Sequence, residues 1–205
     1  MYLAPGKLVW SPTATFGGVI DVSHWNGPIN WREVPASIVM VMVKATQGVS
    51  NVDPRFQANL GGALGTTRLV VPYHFLTDDP VQAQLDNLIR VVGHLRGPIM
   101  IDWEGQPRPP TVRMEAFGAL VASAIGRPPL AYHGMYDPSS PKIQAWPWML
   151  PKYGPAPHGV KYLFWQDRPN LHVPGISALV DHSIFSGTEG ELRAWHRDGT
   201  LPAGF

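Results

Sequence analysis

Short apolar runs recur along the chain, separated by stretches whose apolar residues fall every three or four positions. Gly18–Ser23, Ile38–Val43, Leu69–Phe75 and Leu130–His133 read as strands, as does the run from Ile99 to Gly105 after the Gly97-Pro98 break. Ile38–Val43 is apolar without alternation, the pattern of a parallel strand covered on both faces. Pro72 removes a ladder donor, which predicts a bulge or a weakened inner half in its strand. Between these runs the period changes to that of helices. Asp53-Pro54 starts one, with Phe56, Leu60 and Leu64 following; Asp79-Pro80 opens the clearest, with Val81, Leu85, Leu88, Ile89, Val92 and Leu95 on one stripe. A third spans Thr111 to Ile125, with Phe117, Leu120, Val121 and Ile125 inward, and Thr188 to Arg197 makes a terminal one. The Asn30 and Glu33 pair has capping-box spacing and predicts a brief helix there.

Repeated strand and helix alternation leaves two architectures, an open doubly wound sheet or a (β/α) barrel. Polar or aromatic residues close nearly every strand: Asp21, Lys44, Tyr73, His74, Asp102 with Glu104, and Tyr132. That favours an α/β fold of the barrel type, whose site is assembled from strand ends. Past Pro138 the pattern loosens. Trp146, Trp148 and Tyr153 lie in a Pro-rich stretch, then Lys161–Gln166 and Leu179–Phe185 read as short strands with no full helix between them.

Length and composition narrow the setting. The 205 residues, 44% of them hydrophobic, suit one core and one domain. Sixteen basic and fifteen acidic residues, net charge +1, come without long runs of either sign, which argues against nucleic acid or a membrane surface as partner. There is no cysteine, so neither a disulfide framework nor a thiolate metal site is available. Residues 1–16 form an N-terminal extension, broken by Pro5, Ser11 and Pro12, that reads as neither signal peptide nor membrane span; 17–205 is the expected barrel. The 22 Pro and 21 Gly are spread between apolar runs and read as loop chemistry in an ordered chain.

The strongest chemical signal is Asp102-x-Glu104. Side chains alternate on a strand, so the two acids share a face, roughly 6.6 Å apart at ~3.3 Å per residue, near enough to perturb each other's ionisation. Such a pair suits acid/base work, although pairing with Arg or Lys at a strand end would use the same residues. His74 and His133 could be combined with Asp21 and Asp181 as metal ligands, but the spacings of known zinc motifs are absent and no metal is expected.

Taken together, Asp21-Val22-Ser23-x-Trp25, Val43-Lys44-Ala45-Thr46-x-Gly48, Tyr73-His74-Phe75, Asp102-x-Glu104, Trp165-Gln166 and Val180-Asp181-x-x-x-Phe185-x-Gly187 resemble glycoside hydrolase family 25, the Chalaropsis-type lysozymes or muramidases. Order and spacing agree over residues 17 to 188. The resemblance implies a single-domain, irregular, TIM-like (β/α) barrel with fewer helices than strands. It also implies cleavage of the β-1,4 bond between N-acetylmuramic acid and N-acetylglucosamine in peptidoglycan. Carried over by motif, Glu104 is the general acid and Asp102 orients the substrate's own acetamido group as nucleophile, with retention. Asp21 and Asp181 are supporting acids, and Tyr73, His74, Tyr132, Trp165, Gln166 and Lys44 are substrate-binding residues. No cofactor is implied; the partner is the peptidoglycan glycan strand, met by a monomer without membrane insertion. Without a signal peptide, the enzyme is expected to be made in the cytoplasm of a phage-infected bacterium and to act on the wall after release, as an endolysin. Two positions depart from the family: Gln47 stands where Glu is frequent, and Pro72 where a small residue is usual. A silent peptidoglycan- or chitin-binding module on the same barrel is the alternative, though a binder has no use for converging carboxylates.

Overall fold

The structure, a computed structural model, describes residues 10–93, 97–134 and 140–205. Among the described residues, nine strands form one sheet: β1 (Phe16–Val22), β2 (Met40–Gln47), β3 (Asn51–Val52), β4 (Leu69–Phe75), β5 (Met100–Asp102), β6 (Leu130–Tyr132), β7 (Trp148–Pro151), β8 (Phe164–Leu171) and β9 (Val180–Phe185). The order β1-β9-β8-β7-β6-β5-β4-β2 closes because β1 also pairs with β2; β3 only extends β2 as a hairpin. Apart from that antiparallel hairpin, pairings from β1 through β8 are parallel, whereas β9 runs antiparallel to both β8 and β1. The helices are α1 (Phe56–Gly65), α2 (Val81–Val92), α3 (Thr111–Ile125), the short α4 (Pro141–Gln144) and α5 (Glu189–Asp198). This is the irregular (β/α) barrel the sequence led us to expect, with helices fewer than strands.

Strand alternation sorts the apolar residues into two layers. Met40, Met42, Val71, Met100, Met149 and Phe164 fill the interior. Their outward neighbours, such as Val41, Val43 and Ile101, pack with Leu85, Leu88, Phe117 and Val121 of α2 and α3. One end of the barrel is plugged. Leu192 and Trp195 of α5 join the interior cluster, Trp195 lying 5.1 Å from Phe164, and Arg127 donates to the Trp195 and His196 carbonyls, placing a cation at the helix C-terminus. Among the described residues, no crossover helix covers β8 and β9. Leu150, Tyr162 and Trp165 form a small cluster there, capped by Trp10, whose ring is 4.9 Å from Tyr162.

Several local expectations change. Asn30 and Glu33 do hydrogen-bond, but the segment is a turn rather than a helix, since Trp31 and Val34 are drawn into the core. Leu64 is 55% exposed; of the three expected residues Phe56 and, in part, Leu60 face inward on α1, joined by the buried Asn59 and Ala63. Leu95 lies outside the described residues. Pro72 sits within an unbroken β4; the register shift falls on β2, between Lys44 and Thr46, just beyond the Val43–Pro72 pair. Trp148 belongs to a buried strand, β7, that the Pro-rich stretch concealed.

Adjacent glycines in α1 give a test of this packing. A Cβ on Gly62 would fall inside the indole of Trp31, whereas one on Gly61 meets nothing within 4 Å. Gly61→Ala is expected to raise stability by about 0.5–1 kcal/mol through helix propensity. Gly62→Ala should lower it by about 1–3 kcal/mol through overpacking. Urea titrations giving the same sign for both would contradict the Trp31 contact.

Candidate active site

The C-terminal ends of the parallel strands open into a cavity of about 370 Å³, opposite the α5 plug. Asp21, Lys44, Asp102, Glu104 and Asp181 line it, with Tyr73, Tyr132 and Gln166 forming its walls. Asp102 is the last residue of β5, in register with Phe75 of β4 and Tyr132 of β6. The strand ends there, so Glu104 rises from the following loop and stands exposed at the mouth while Asp102 is buried. The two acids thus share a cavity at two depths. Asp102 Oδ1 is fully buried and has no hydrogen-bond partner among the described residues.

Asp21 and Asp181 face each other directly across the antiparallel β1–β9 pair. Gln166 joins them to the wall: its Nε2 donates to Asp21 Oδ2 at 3.0 Å, and Tyr132 Oη donates to its Oε1 at 3.0 Å. Lys44 Nζ donates to Gln47 Oε1 at 2.9 Å and lies 4.8 Å from the Phe75 ring centroid. That partner is a neutral amide, which leaves the ammonium charge to act on the acids.

All four carboxyls are pushed above their ordinary range. Burial is the largest cause for each. For Asp21 the charge of Asp181 adds to it, and for Asp102 the charge of Glu104 does, against the pull of Lys44. For Glu104, a hydrogen bond with Tyr132 and the Lys44 charge work downward while Asp181 works upward. Asp21 and Asp181 hydrogen-bond in the sense that raises the first and lowers the second. The Asp181 charge also raises Glu104, favouring its protonated form. Asp181→Asn is therefore expected to shift the basic limb of an activity profile to lower pH, because it removes repulsion that disfavours ionised Glu104. An unmoved limb would reduce Asp181 to a structural residue.

Not every expected residue reaches the cavity. His74 points outward to the helices: Nδ1 is 2.7 Å from Thr46 Oγ1, Nε2 is 3.0 Å from Gln84 Oε1, and the ring packs on Phe117. Burial lowers its pKa to about 4, so the ring is a neutral core histidine and not a groove residue. Trp165 also takes the outward face of β8, in the cluster under Trp10, with its indole donating to the Lys152 carbonyl at 2.7 Å. Gln166 lines the cavity, yet it is buried with both ends of its amide engaged by Tyr132 and Asp21. His133 stacks on Trp103, 4.5 Å between ring centroids, on the outer face. Among the described residues, no group of three or more His, Asp or Glu could hold a metal ion.

Two exposed aromatic residues, Trp25 at the mouth and Tyr153 within reach of the acids' charges, are absent from the expected set. Trp25 is 80% exposed on a 3-10 turn (His24–Asn26) that begins right after β1. Asp53 fixes that turn, accepting from the His24 backbone at 3.0 Å and lying 2.8 Å from its Nδ1, and the His24 ring lies 4.5 Å from that of Trp25. The carboxylate just before α1 is thus largely spent on the site's rim. Tyr153 is 54% exposed, and the charges of Asp181, Asp21 and Glu104 act on its hydroxyl. Position four residues after a floor acid was the available signal for Trp25; for Tyr153 there was none.

Comparison with known proteins agrees with this geometry. Residues 20–136 match the family described as Glycosyl hydrolases family 25. The chain is 28% identical over 197 residues to YegX of Escherichia coli O157:H7, covering 86% of this chain and 72% of that protein. A shorter stretch of 57 residues is 44% identical to lysozyme M1 of Streptomyces globisporus, 27% of this chain and 19% of that one. The fold superposes on the bacterial lysozyme from Streptomyces coelicolor with a TM-score of 0.76 at 24% identity, covering 92% of this chain and 100% of the other. With its barrel and family match in agreement, the chain belongs to glycosyl hydrolase family 25.

Proposed function

We propose that the chain is a muramidase, hydrolysing the β-1,4 bond between N-acetylmuramic acid and N-acetylglucosamine in peptidoglycan by a substrate-assisted, retaining route. The observation that carries this reading is the depth difference between the two central acids. Glu104 stands at the mouth, where it can protonate the glycosidic oxygen as the C–O bond breaks. Asp102 lies lower with a free buried oxygen, suited to accept the N–H of a 2-acetamido group. The acetamido carbonyl oxygen then attacks C1 from the opposite face. Water, deprotonated by Glu104, opens the resulting oxazolinium ring, and two inversions give retention. Direct retaining enzymes set a nucleophilic carboxylate ~5 to 5.5 Å from the acid across the sugar, and substrate-assisted ones are the exception to that arrangement.

A silent glycan-binding module explains the exposed Trp25 and Tyr153, which suit the apolar faces of sugars. It does not explain four converging carboxyls raised together, an arrangement that costs stability and serves proton transfer. Digestion of purified peptidoglycan followed by mass spectrometry decides between them: new reducing-end muramic acid is the expected product. Proton NMR of early products should show the retained anomer, and wall de-N-acetylated at muramic acid should bind yet resist cleavage. An inverted anomer, or full activity on the de-acetylated wall, would rule out the substrate-assisted route.

A further inference from the structure

The turn at His24–Asn26 carries an exposed indole, yet it is anchored from several directions. Asp53 is buried; its Oδ2 accepts from the His24 backbone at 3.0 Å and lies 2.8 Å from His24 Nδ1, while its Oδ1 accepts from the Arg55 backbone at 2.9 Å. A carboxylate only accepts, so Nδ1 is the ring nitrogen that donates to it. Ser23 and Asn26 close the turn on itself: Ser23 N donates to Asn26 Oδ1 at 2.8 Å, and Trp25 N to Ser23 Oγ at 3.3 Å. Asn26 Nδ2 reaches the Leu179 carbonyl, at 3.1 Å, just before β9. The His24 ring, held in this way, packs on the indole with 4.5 Å between centroids and a tilt of 37°, and Trp25 remains 80% exposed.

We propose that Trp25 is the platform of a saccharide subsite at the mouth, stacking on the apolar face of a pyranose ring, and that His24, fixed by Asp53, is a positioning residue that orients the indole before the sugar arrives. A pyranose pairs an apolar C–H face with a rim of hydroxyls. The cavity offers the counterpart: Trp25 and the 55% exposed Leu179 border the same space as Asn26, Lys44 and the acids. A single indole beside an acid-lined cavity is too small an apolar surface for a protein partner and suits one sugar ring. Bracing matters because an unsupported surface side chain loses rotamer freedom on binding, which weakens it as an anchor. The inference rests on the muramidase reading for the identity of the glycan strand, whose scissile bond Glu104 protonates.

The probe is a soluble oligosaccharide of alternating N-acetylglucosamine and N-acetylmuramic acid, added to the Glu104→Gln chain labelled with 5-fluorotryptophan. Among the eight tryptophans, the Trp25 fluorine signal is identified by its loss in Trp25→Phe. It should move on titration. Trp25→Ala should weaken binding roughly tenfold or more, with Trp25→Phe recovering part of the loss. His24→Ala keeps the backbone N–H that Asp53 accepts, so the turn persists. It should shift the Trp25 signal without glycan and weaken binding by about 2- to 10-fold, the effect of ordering one loose side chain. In the Trp25→Ala background the same change should add nothing, because His24 acts through the indole. With Glu104 restored, Trp25→Ala and His24→Ala should raise KM on solubilised peptidoglycan with kcat held within about twofold, as for binding shared by ground and transition states. A Trp25 signal indifferent to bound glycan, parental affinity in Trp25→Ala, an equal His24→Ala loss in both backgrounds, or a fall in kcat at unchanged KM would each overturn the proposal. If glycan binds through Trp25 but the wild-type chain releases no sugar, the subsite stands and the muramidase reading falls; sugar release with an indifferent Trp25 signal does the reverse.

Discussion

Glu104→Gln is expected to remove turnover while leaving the fold and glycan binding intact. The amide keeps the shape of the acid but has no proton to give to the leaving oxygen, and positioned general acids contribute about 10²- to 10⁴-fold. Because Glu104 stands exposed at the mouth, its replacement strips no buried contact, and removal of a like charge beside Asp102 relieves repulsion. The melting temperature should hold or rise. Rates on purified wall, wall pull-down and thermal unfolding measured on one preparation separate these effects. A variant that clears walls at the parental rate would mean that the acid lies elsewhere.

Asp102→Asn should lower the rate by about 10²- to 10³-fold, the range seen when one preorganised group stabilising transition-state charge is removed. An asparagine can still accept the acetamido N–H, but it offers no negative charge to the developing oxazolinium. Stability should move the other way. Burial and Glu104 raise the Asp102 pKa above 3.8, so in the folded protein the ionised form is disfavoured and stability falls as pH rises from about that value through the folded pKa. The asparagine variant escapes this penalty. It should melt above the parent at neutral pH and near it in acid, where both side chains are neutral. Parental activity, or a stability gap that is the same at both pH values, would contradict this account of Asp102.

The sequence carried the barrel well because alternation of period, strand-end acids and proline-marked helix starts all pointed one way, and α3 emerged with its expected limits at Thr111 and Ile125. Its errors have one source in the site. A strand-end string such as Tyr73-His74-Phe75 or Trp165-Gln166 places successive residues on opposite faces, so only one of each adjacent pair can enter the cavity. Tyr73 and Gln166 do, and His74 and Trp165 turn outward. Alternation had been applied to Asp102 and Glu104, where the strand stops too early for it to matter, and not to these pairs, where it decides the outcome. The links among Asp21, Gln166 and Tyr132 were not legible because they join residues far apart in the chain whose side chains meet only after closure. Trp148 was hidden for a different reason: prolines flank a buried strand that has no alternation of its own.

The position of β9 between β1 and β8 has a consequence for biosynthesis. A nascent chain that has not yet released β9 keeps two open sheet edges, on β1 and β8, and lacks both the Asp181 carboxyl and the α5 plug. Closure must join segments from opposite ends of the sequence, the slow kind of contact in folding. Copies terminated before β9 should therefore be sticky and, on the muramidase reading, inert instead of partly active.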